Sequence, residues 1–159
     1  MKSYTAEICD KFKDEAQIAN PVFKSYGGKV MSHGKITTIE LFEDNTDLVK
    51  LLRDEKGEGR ICVVDVKGKY PAVVGETLMG YAYENGWAGI VINGYVRDTH
   101  QTSIIPVGLF ALGTYPHKSP KKISGNRDIE LSFEGVTFRV GEYLYADNDG
   151  IVVMPHNNL

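Results

Sequence analysis

The sequence lacks any apolar run that approaches the roughly 18 residues needed to cross a bilayer. Its start, MKSYTAEICDKFKDE, also lacks the apolar core of a secretory signal. We therefore expect a cytoplasmic protein without a membrane-spanning segment.

Excess positive charge is also missing. Lys and Arg number 18 against 21 Asp and Glu, which gives a formal net charge of −3. The densest basic stretch, residues 118–122 (KSPKK), is short, and a nucleic-acid coat needs a longer basic stripe. We interpret this stretch as a solvated loop and expect no direct contact with nucleic acid.

Common catalytic and nucleotide-binding motifs do not occur. The chain contains no GxGxxG, GxSxG or HExxH, and its four histidines show no metal-ligand spacing. Gly28 and Gly34 are separated by five residues where a phosphate loop needs four, and Ile36 stands where that loop needs Ser or Thr. Residues 147–150 lack the closing Glu of a calcium loop. These absences exclude phosphate-loop, serine-nucleophile and zinc chemistry.

The two cysteines, Cys9 and Cys62, lie far apart in the sequence. Cys62 belongs to the apolar run Ile61 to Val64, which is typical of a buried strand. We expect Cys62 to be a free thiol that packs as a small hydrophobic side chain.

The length of 159 residues and the absence of a linker predict a single domain over residues 1–159. Periodicity predicts helices over about 4–14, 46–55 and from 75 to a stop at 85–86, and strands over 35–42, 60–66, 88–93, 106–112, 131–133, 136–138 and 151–154. Strand, helix and strand in succession indicate a parallel crossover, whereas the end of the chain is antiparallel. We therefore predict an α/β fold, a mixed layered sheet with flanking helices.

Two segments carry candidate chemistry. Gly75 opens a predicted helix, and the unpaired N–H groups of a first helical turn attract a carboxylate or a phosphate. Arg97 and Asp98 follow the predicted strand 88–93 at its carboxyl end, where ligands of open α/β sheets gather. Arg97 offers a fork of donors for a carboxylate or an enolate oxygen, and Asp98 is a hard oxygen ligand for Mg²⁺ or Mn²⁺. The alternative is that this pair is only a surface ion pair or a helix cap.

Nearly the whole chain resembles the family that holds the regulator of ribonuclease E activity A and the 4-hydroxy-4-methyl-2-oxoglutarate aldolases. The segments that carry the resemblance are Cys9-Asp10, Tyr26-Gly27-Gly28, Phe42-Glu43-Asp44-Asn45, Gly59-Arg60-Ile61, Asn85-Gly86-Trp87-Ala88-Gly89, Arg97, Ile105-Pro106-Val107-Gly108, Phe133-Glu134-Gly135-Val136-Thr137-Phe138 and Leu144-Tyr145-Ala146-Asp147-Asn148. This resemblance implies a swivelling β/β/α fold and a homotrimer with sites near the subunit interfaces.

The aldolases of this family carry an acid, twenty residues, Arg-Asp, two residues and a second acid. This chain has Glu76, then Arg97 and Asp98 at that spacing, but Gln101 in place of the second acid. The family's regulators typically lack the Asp, so Asp98 favours the enzyme. The aldolases also use a longer C-terminal tail whose Glu enters a neighbouring site, and this sequence ends at Leu159. Oxaloacetate decarboxylation needs no base at a C4 hydroxyl and is expected to tolerate this difference better than aldol cleavage.

The resemblance implies a lyase that acts on small 2-oxo acids through a pyruvate enolate, with Mg²⁺ or Mn²⁺ as cofactor. The expected roles are catalysis by Arg97 and Glu76, substrate binding by Gly75, Glu76, Thr77, Leu78 and Arg97, and metal anchoring by Asp98. The alternative is a non-catalytic regulator that binds and inhibits ribonuclease E or docks on a partner RNA helicase. A quinone methyltransferase is excluded because no Gly-rich nucleotide loop is present for the methyl donor.

Overall fold

The computed structural model describes residues 4–158, and this part of the chain contains four helices and eleven strands. The helices are α1 (Thr5–Lys11), α2 (Thr46–Asp54), α3 (Glu76–Glu84) and α4 (Thr99–Thr102). The strands are β1 (Gln17–Ile18), β2 (Lys24–Ser25), β3 (Ser32–Glu40), β4 (Ile61–Asp65), β5 (Gly89–Val96), β6 (Gly108–Thr114), β7 (Asn126–Arg127), β8 (Leu131–Phe133), β9 (Val136–Phe138), β10 (Tyr143–Asp147) and β11 (Gly150–Met154). None of these helices combines the length and the hydropathy needed to cross a membrane.

Nine strands form one mixed sheet in the order β1-β11-β10-β3-β4-β5-β6-β2, with β7 paired to β3. The neighbours from β3 to β6 are parallel, and the other pairs are antiparallel. Strand β3 joins the two parts, because Lys35 pairs with Tyr143 of β10 and Ile36 pairs with Ile61 of β4. The predicted mixed sheet is confirmed.

Helices cover one face of the parallel strands. Leu48 and Leu52 of α2 and Met79 of α3 are buried in one cluster with Cys62 and Val64 of β4. The apolar spacing of α2 predicted this face, since residues three and four apart lie on the same side of a helix.

The hairpin of β8 and β9 covers the opposite face. Phe133 and Phe138 pack in a second cluster with Ile61 and Val63, which alternate along β4 with the side chains that face the helices. Strand β4 is therefore buried on both faces, as its continuous apolar sequence predicts for a central parallel strand. Helices, sheet and hairpin together form the expected β/β/α layers.

Cys62 lies in the core as predicted, with no exposed surface. Burial raises the pKa of its thiol to about 12. Cys9 is a free thiol on α1 whose pKa is also raised, first by burial and then by Asp10 and Asp147. The Cys62 thiol therefore stays protonated near neutral pH and serves as an apolar side chain.

Two strand predictions need correction. Strand β5 does not end at residue 93 but continues to Val96, with a shift of its register to β6 between Ile92 and Tyr95. Residues 143–147, for which the sequence predicted no strand, form β10. The irregularity near Gly94 conceals the strand's continuation in the sequence, because a glycine after an apolar run is typical of a strand end.

Candidate active site

The two predicted site segments meet at the carboxyl end of the parallel strands. Val74 and Val96 form a parallel β-bridge, and the Arg97 N–H donates to the Val74 carbonyl at 3.0 Å. Helix α3 starts directly after Val74, with Gly75 at its N-cap position. Main-chain pairing thus holds the start of α3 beside Arg97 and Asp98.

The Asp98 carboxylate lies against the N-terminus of α3. Its Oδ2 accepts the Glu76 N–H at 2.9 Å, so this negative charge meets the positive end of the helix dipole. Asp98 has a positive φ of 57°, a conformation that Asp tolerates better than most residues. The chain therefore turns sharply at Asp98 and directs its carboxylate to a neighbouring helix.

Gly75 allows this close approach. A Cβ atom at position 75 would lie 2.5 Å from Asp98 Oδ2. The backbone of Gly75 is extended, with φ −143° and ψ −155°, so glycine is favoured here by the position of the Asp98 carboxylate and not by the dihedral angles. The space beside the Gly75 main chain is therefore partly filled by the Asp98 carboxylate.

We expect Gly75→Ala to lower the free energy of unfolding by about 0.5–1.5 kcal/mol, because a methyl group at this site displaces the exposed Asp98 carboxylate and breaks its hydrogen bond with the Glu76 N–H. Gly80→Ala is the matched control in the same helix, since a Cβ there meets no atom within 4 Å. That variant is expected to be more stable by about 0.5–1 kcal/mol, as alanine favours a helix interior. Urea unfolding measures both changes, and equal stability of the two variants would contradict the proposed overlap.

The first turn of α3 retains two free donors. The Glu76 N–H donates to Asp98 Oδ2, so this donor is occupied by a side chain of the protein. The Met79 N–H donates to the Gly75 carbonyl. Within residues 4–158, no acceptor pairs with the N–H groups of Thr77 and Leu78.

These segments surround one cavity of about 210 Å³. It brings together five of the predicted site residues, namely Gly75, Thr77, Leu78, Arg97 and Asp98. The Glu76 side chain is exposed and does not belong to the cavity lining. The volume of about 210 Å³ is below the roughly 300–1,000 Å³ of drug-sized ligand sites, so the cavity suits a small ligand.

Two further lining residues, Asn45 and Lys118, were not predicted as site residues. The Asn45 side-chain amide donates to the Val73 carbonyl at 2.9 Å, and Asn45 precedes α2. The only sequence signal for Asn45 is its place in the segment Phe42-Glu43-Asp44-Asn45 that carries the family resemblance. Lys118 belongs to the basic stretch that we interpreted as a solvated loop, and no periodic pattern marks it.

A larger cavity of about 850 Å³ lies near the amino ends of the parallel strands, beside Gly59 and Ala88. Tyr4, Met31 and His33 also line it, and none of its described lining residues is a predicted site residue. We place the candidate active site in the smaller cavity because charged groups of both signs and free helix N–H groups converge there.

The cavity offers limited ligands for the Mg²⁺ or Mn²⁺ that the resemblance implies. Among residues 4–158, no group of three or more His, Cys, Asp or Glu is arranged to hold a metal ion. Asp98 provides the single carboxylate of the described lining residues. Mg²⁺ is commonly held by one or two carboxylates, substrate oxygens and several waters. The donor set therefore fits a hydrated cation that shares its coordination with a substrate, and does not fit an all-protein cage.

Comparison with known proteins shows the family of this chain. A family model described as RraA-like, Aldolase/RraA, matches residues 5–153. The chain belongs to this RraA-like family.

A relative from Alkalilimnicola ehrlichii is 46% identical over 150 residues, which cover 94% of this chain and 92% of the relative. One from Laribacter hongkongensis is 44% identical over 156 residues, which cover 98% of each chain. Both are provisionally named 4-hydroxy-4-methyl-2-oxoglutarate aldolase, and these names support the aldolase interpretation.

Solved structures confirm the fold class. The RNA-processing inhibitor RraA from Thermus thermophilis has a TM-score of 0.94 and 37% identity, over 100% of this chain and 96% of that one. A Geobacillus kaustophilus protein described as an S-adenosylmethionine:2-dimethylmenaquinone methyltransferase has a TM-score of 0.92 and 42% identity, over 99% and 96% of the two chains. The names of these RraA-like structures thus point to different functions on one fold.

Proposed function

We propose that this protein is a divalent-metal-dependent lyase that cleaves small 2-oxo acids through a pyruvate enolate. The observation that carries the proposal is the convergence of Arg97, Asp98 and the N-terminus of α3 on one cavity of about 210 Å³. The substrates we propose are oxaloacetate and 4-hydroxy-4-methyl-2-oxoglutarate. The aldolase names of the bacterial relatives support this substrate class.

Substrate binding uses the donors that the protein leaves free. The N–H groups of Thr77 and Leu78 bind the carboxylate next to the keto group, because the first turn of a helix attracts anions. Arg97 donates to the keto oxygen. Its guanidinium already makes a long contact of 3.4 Å from Nη1 to the Pro116 carbonyl, which holds the side chain at the cavity.

The chemical step places negative charge on that oxygen. In decarboxylation the C3–C4 bond breaks, CO₂ leaves and the electron pair forms the enolate, which then takes a proton at C3 to give pyruvate. In aldol cleavage the C4 hydroxyl first loses its proton, and the same bond breaks to give pyruvate and a pyruvate enolate, which takes a proton at C3 to give a second pyruvate. A preorganised donor such as Arg97 stabilises the enolate oxygen in both reactions by about 3 kcal/mol.

A divalent cation held beside Asp98 would act as a Lewis acid on the 2-oxo acid. Asp98 holds this charge in place while the Glu76 N–H fixes the orientation of its carboxylate. Glu76 itself carries an exposed side chain at the first position of α3, from which it positions or deprotonates a water that serves as general base or acid.

The test is pyruvate release by metal-stripped protein, with each substrate offered separately and with or without added Mg²⁺ or Mn²⁺. We expect metal-dependent release above the rate with metal alone, and faster release from oxaloacetate. The absence of release from both substrates at every metal concentration would contradict the proposal.

A second candidate function is inhibition of a ribonuclease through a docking surface. The similarity to the Thermus RNA-processing inhibitor RraA supports it. The two functions make different demands on Asp98, because docking does not use the cavity. Asp98→Ala is expected to keep ribonuclease inhibition if the protein acts as a regulator, and loss of inhibition in that variant would argue against surface docking. A methyltransferase is not proposed, since the sequence has no Gly-rich nucleotide loop.

A further inference from the structure

One surface segment borders the candidate active site, and hydrogen bonds near both of its ends hold it in place. We call residues 115–125 the strap. Near its start, the Ala72 N–H donates to the His117 carbonyl at 2.9 Å. At its end, the Gly125 N–H donates to Asp47 Oδ2 in the first turn of α2 at 2.6 Å. These hydrogen bonds hold the strap beside the cavity, since Ala72 is one of the cavity's own lining residues.

The three lysines of the strap differ in their surroundings. Lys121 contacts Glu43, with 2.9 Å between Nζ and Oε2, and this hydrogen bond lowers the pKa of the Glu43 carboxyl. All three lysines are exposed, and Lys122 neither lines the cavity nor contacts a described carboxylate. Lys118 lines the cavity and has no ion-pair partner within residues 4–158. Lys118 therefore brings to the site a positive charge that no described carboxylate neutralises.

One charged side chain of the cavity, Lys118, has no role in the proposed reaction. The ionisable lining residues of the cavity are Arg97, Asp98 and Lys118. Arg97 serves the keto oxygen, and Asp98 serves as the proposed anchor of the cation. Both proposed substrates carry a second carboxylate, at the end of the molecule away from the 2-oxo acid group.

We propose that Lys118 binds this distal carboxylate and makes the site selective for 2-oxo dicarboxylic acids over 2-oxo monocarboxylic acids. The inference rests on the proposed function, because it assumes that the 2-oxo acid group lies at Arg97 and α3. A compact ammonium on a flexible stem suits the task, since it can follow substrates of different length. Lys118 is exposed in this structure, and the charge-assisted contact that forms when the acid fills the cavity is expected to discriminate by about tenfold.

Two five-carbon acids test the selectivity without turnover. 2-Oxoglutarate and 2-oxopentanoate share the 2-oxo acid group and differ at C5, and neither is cleaved by the proposed reactions. Titration calorimetry in the presence of Mg²⁺ gives the Kd of each acid. We expect the wild type to bind 2-oxoglutarate about tenfold more tightly, and Lys118→Ala to bind both acids with the affinity of 2-oxopentanoate.

Lys122→Ala is the matched control from the same strap and is expected to keep the tenfold preference. Lys118→Arg keeps the positive charge and is expected to keep a preference for 2-oxoglutarate. Equal affinities in the wild type, or an unchanged preference in Lys118→Ala, would overturn the inference. An equal loss of affinity for both acids in that variant would also overturn it, because Lys118 would then serve the shared end. If the proposed function itself is wrong, we expect a different result: the wild type binds neither 2-oxoglutarate nor 2-oxopentanoate.

Discussion

Arg97→Lys is expected to lower kcat for pyruvate release from oxaloacetate by at least about a hundredfold, the effect of losing one preorganised oxyanion donor. Lysine keeps the positive charge but replaces a planar fork of donors with a point charge on a flexible stem. A fork can contact the Pro116 carbonyl and the enolate oxygen at the same time, whereas an ammonium that moves toward one leaves the other. Steady-state kinetics of pyruvate release measures the effect.

The fold is not expected to change in this variant, because the main-chain bond from Arg97 to the Val74 carbonyl does not involve the side chain. Thermal unfolding checks this point. Arg53→Lys is the matched control, since Arg53 forms an exposed pair with Asp54 at 2.7 Å on α2 and does not line the cavity. A kcat within threefold of wild type for Arg97→Lys would exclude stabilisation of the enolate by this guanidinium.

The central strands could be predicted from the sequence because both of their faces are buried, so nearly all of their side chains are apolar. Residues 61–65 are buried on both sides, so the apolar run is continuous and the strand is recognisable without knowledge of its partners. Strand β10 differs, since Tyr143 is only half-buried and Asp147 is polar. Its place depends on pairing with β3, more than a hundred residues earlier, and no local pattern records that partner.

The candidate site shows the same division between local and long-range information. Arg97 and Asp98 were predicted because they follow an apolar strand, and Gly75 because it opens a helix. The hydrogen bond from the Glu76 N–H to the Asp98 carboxylate could not be predicted from the sequence. It joins residues that are 22 positions apart, and the bridge between Val74 and Val96 brings them together. Lys118 lies in a segment without regular secondary structure. Sequence periodicity cannot predict which residues of such a segment line a cavity.

Asp98 serves two purposes that one substitution can separate. Its oxygen Oδ2 accepts the Glu76 N–H, and its negative charge is the proposed anchor for the cation. Asp98→Asn keeps an oxygen that can accept this N–H, and Asn also tolerates a positive φ. The variant lacks only the charge, and its NH₂ group presents donors where a cation needs acceptors.

We expect Asp98→Asn to unfold at nearly the wild-type temperature but to release pyruvate at least about a hundredfold more slowly at a fixed Mg²⁺ concentration, since a Lewis-acid cation contributes several kcal/mol. Asp98→Ala should lose the activity and also about 1–2 kcal/mol of stability, because it removes the acceptor at the start of α3. Mn²⁺ binding followed by electron paramagnetic resonance provides a readout independent of turnover and should weaken in both variants.

Asp54→Asn supplies the control for loss of a surface carboxylate, as Asp54 is exposed and lies outside the cavity. If Asp98→Asn binds Mn²⁺ and turns over like the wild type, the charge is dispensable and Asp98 is only the cap of α3. If it loses both while its unfolding is unchanged, then the carboxylate is required beyond that structural role. The hydrogen bond from the Glu76 N–H then contributes to function, because it fixes the orientation of the Asp98 carboxylate that the reaction requires.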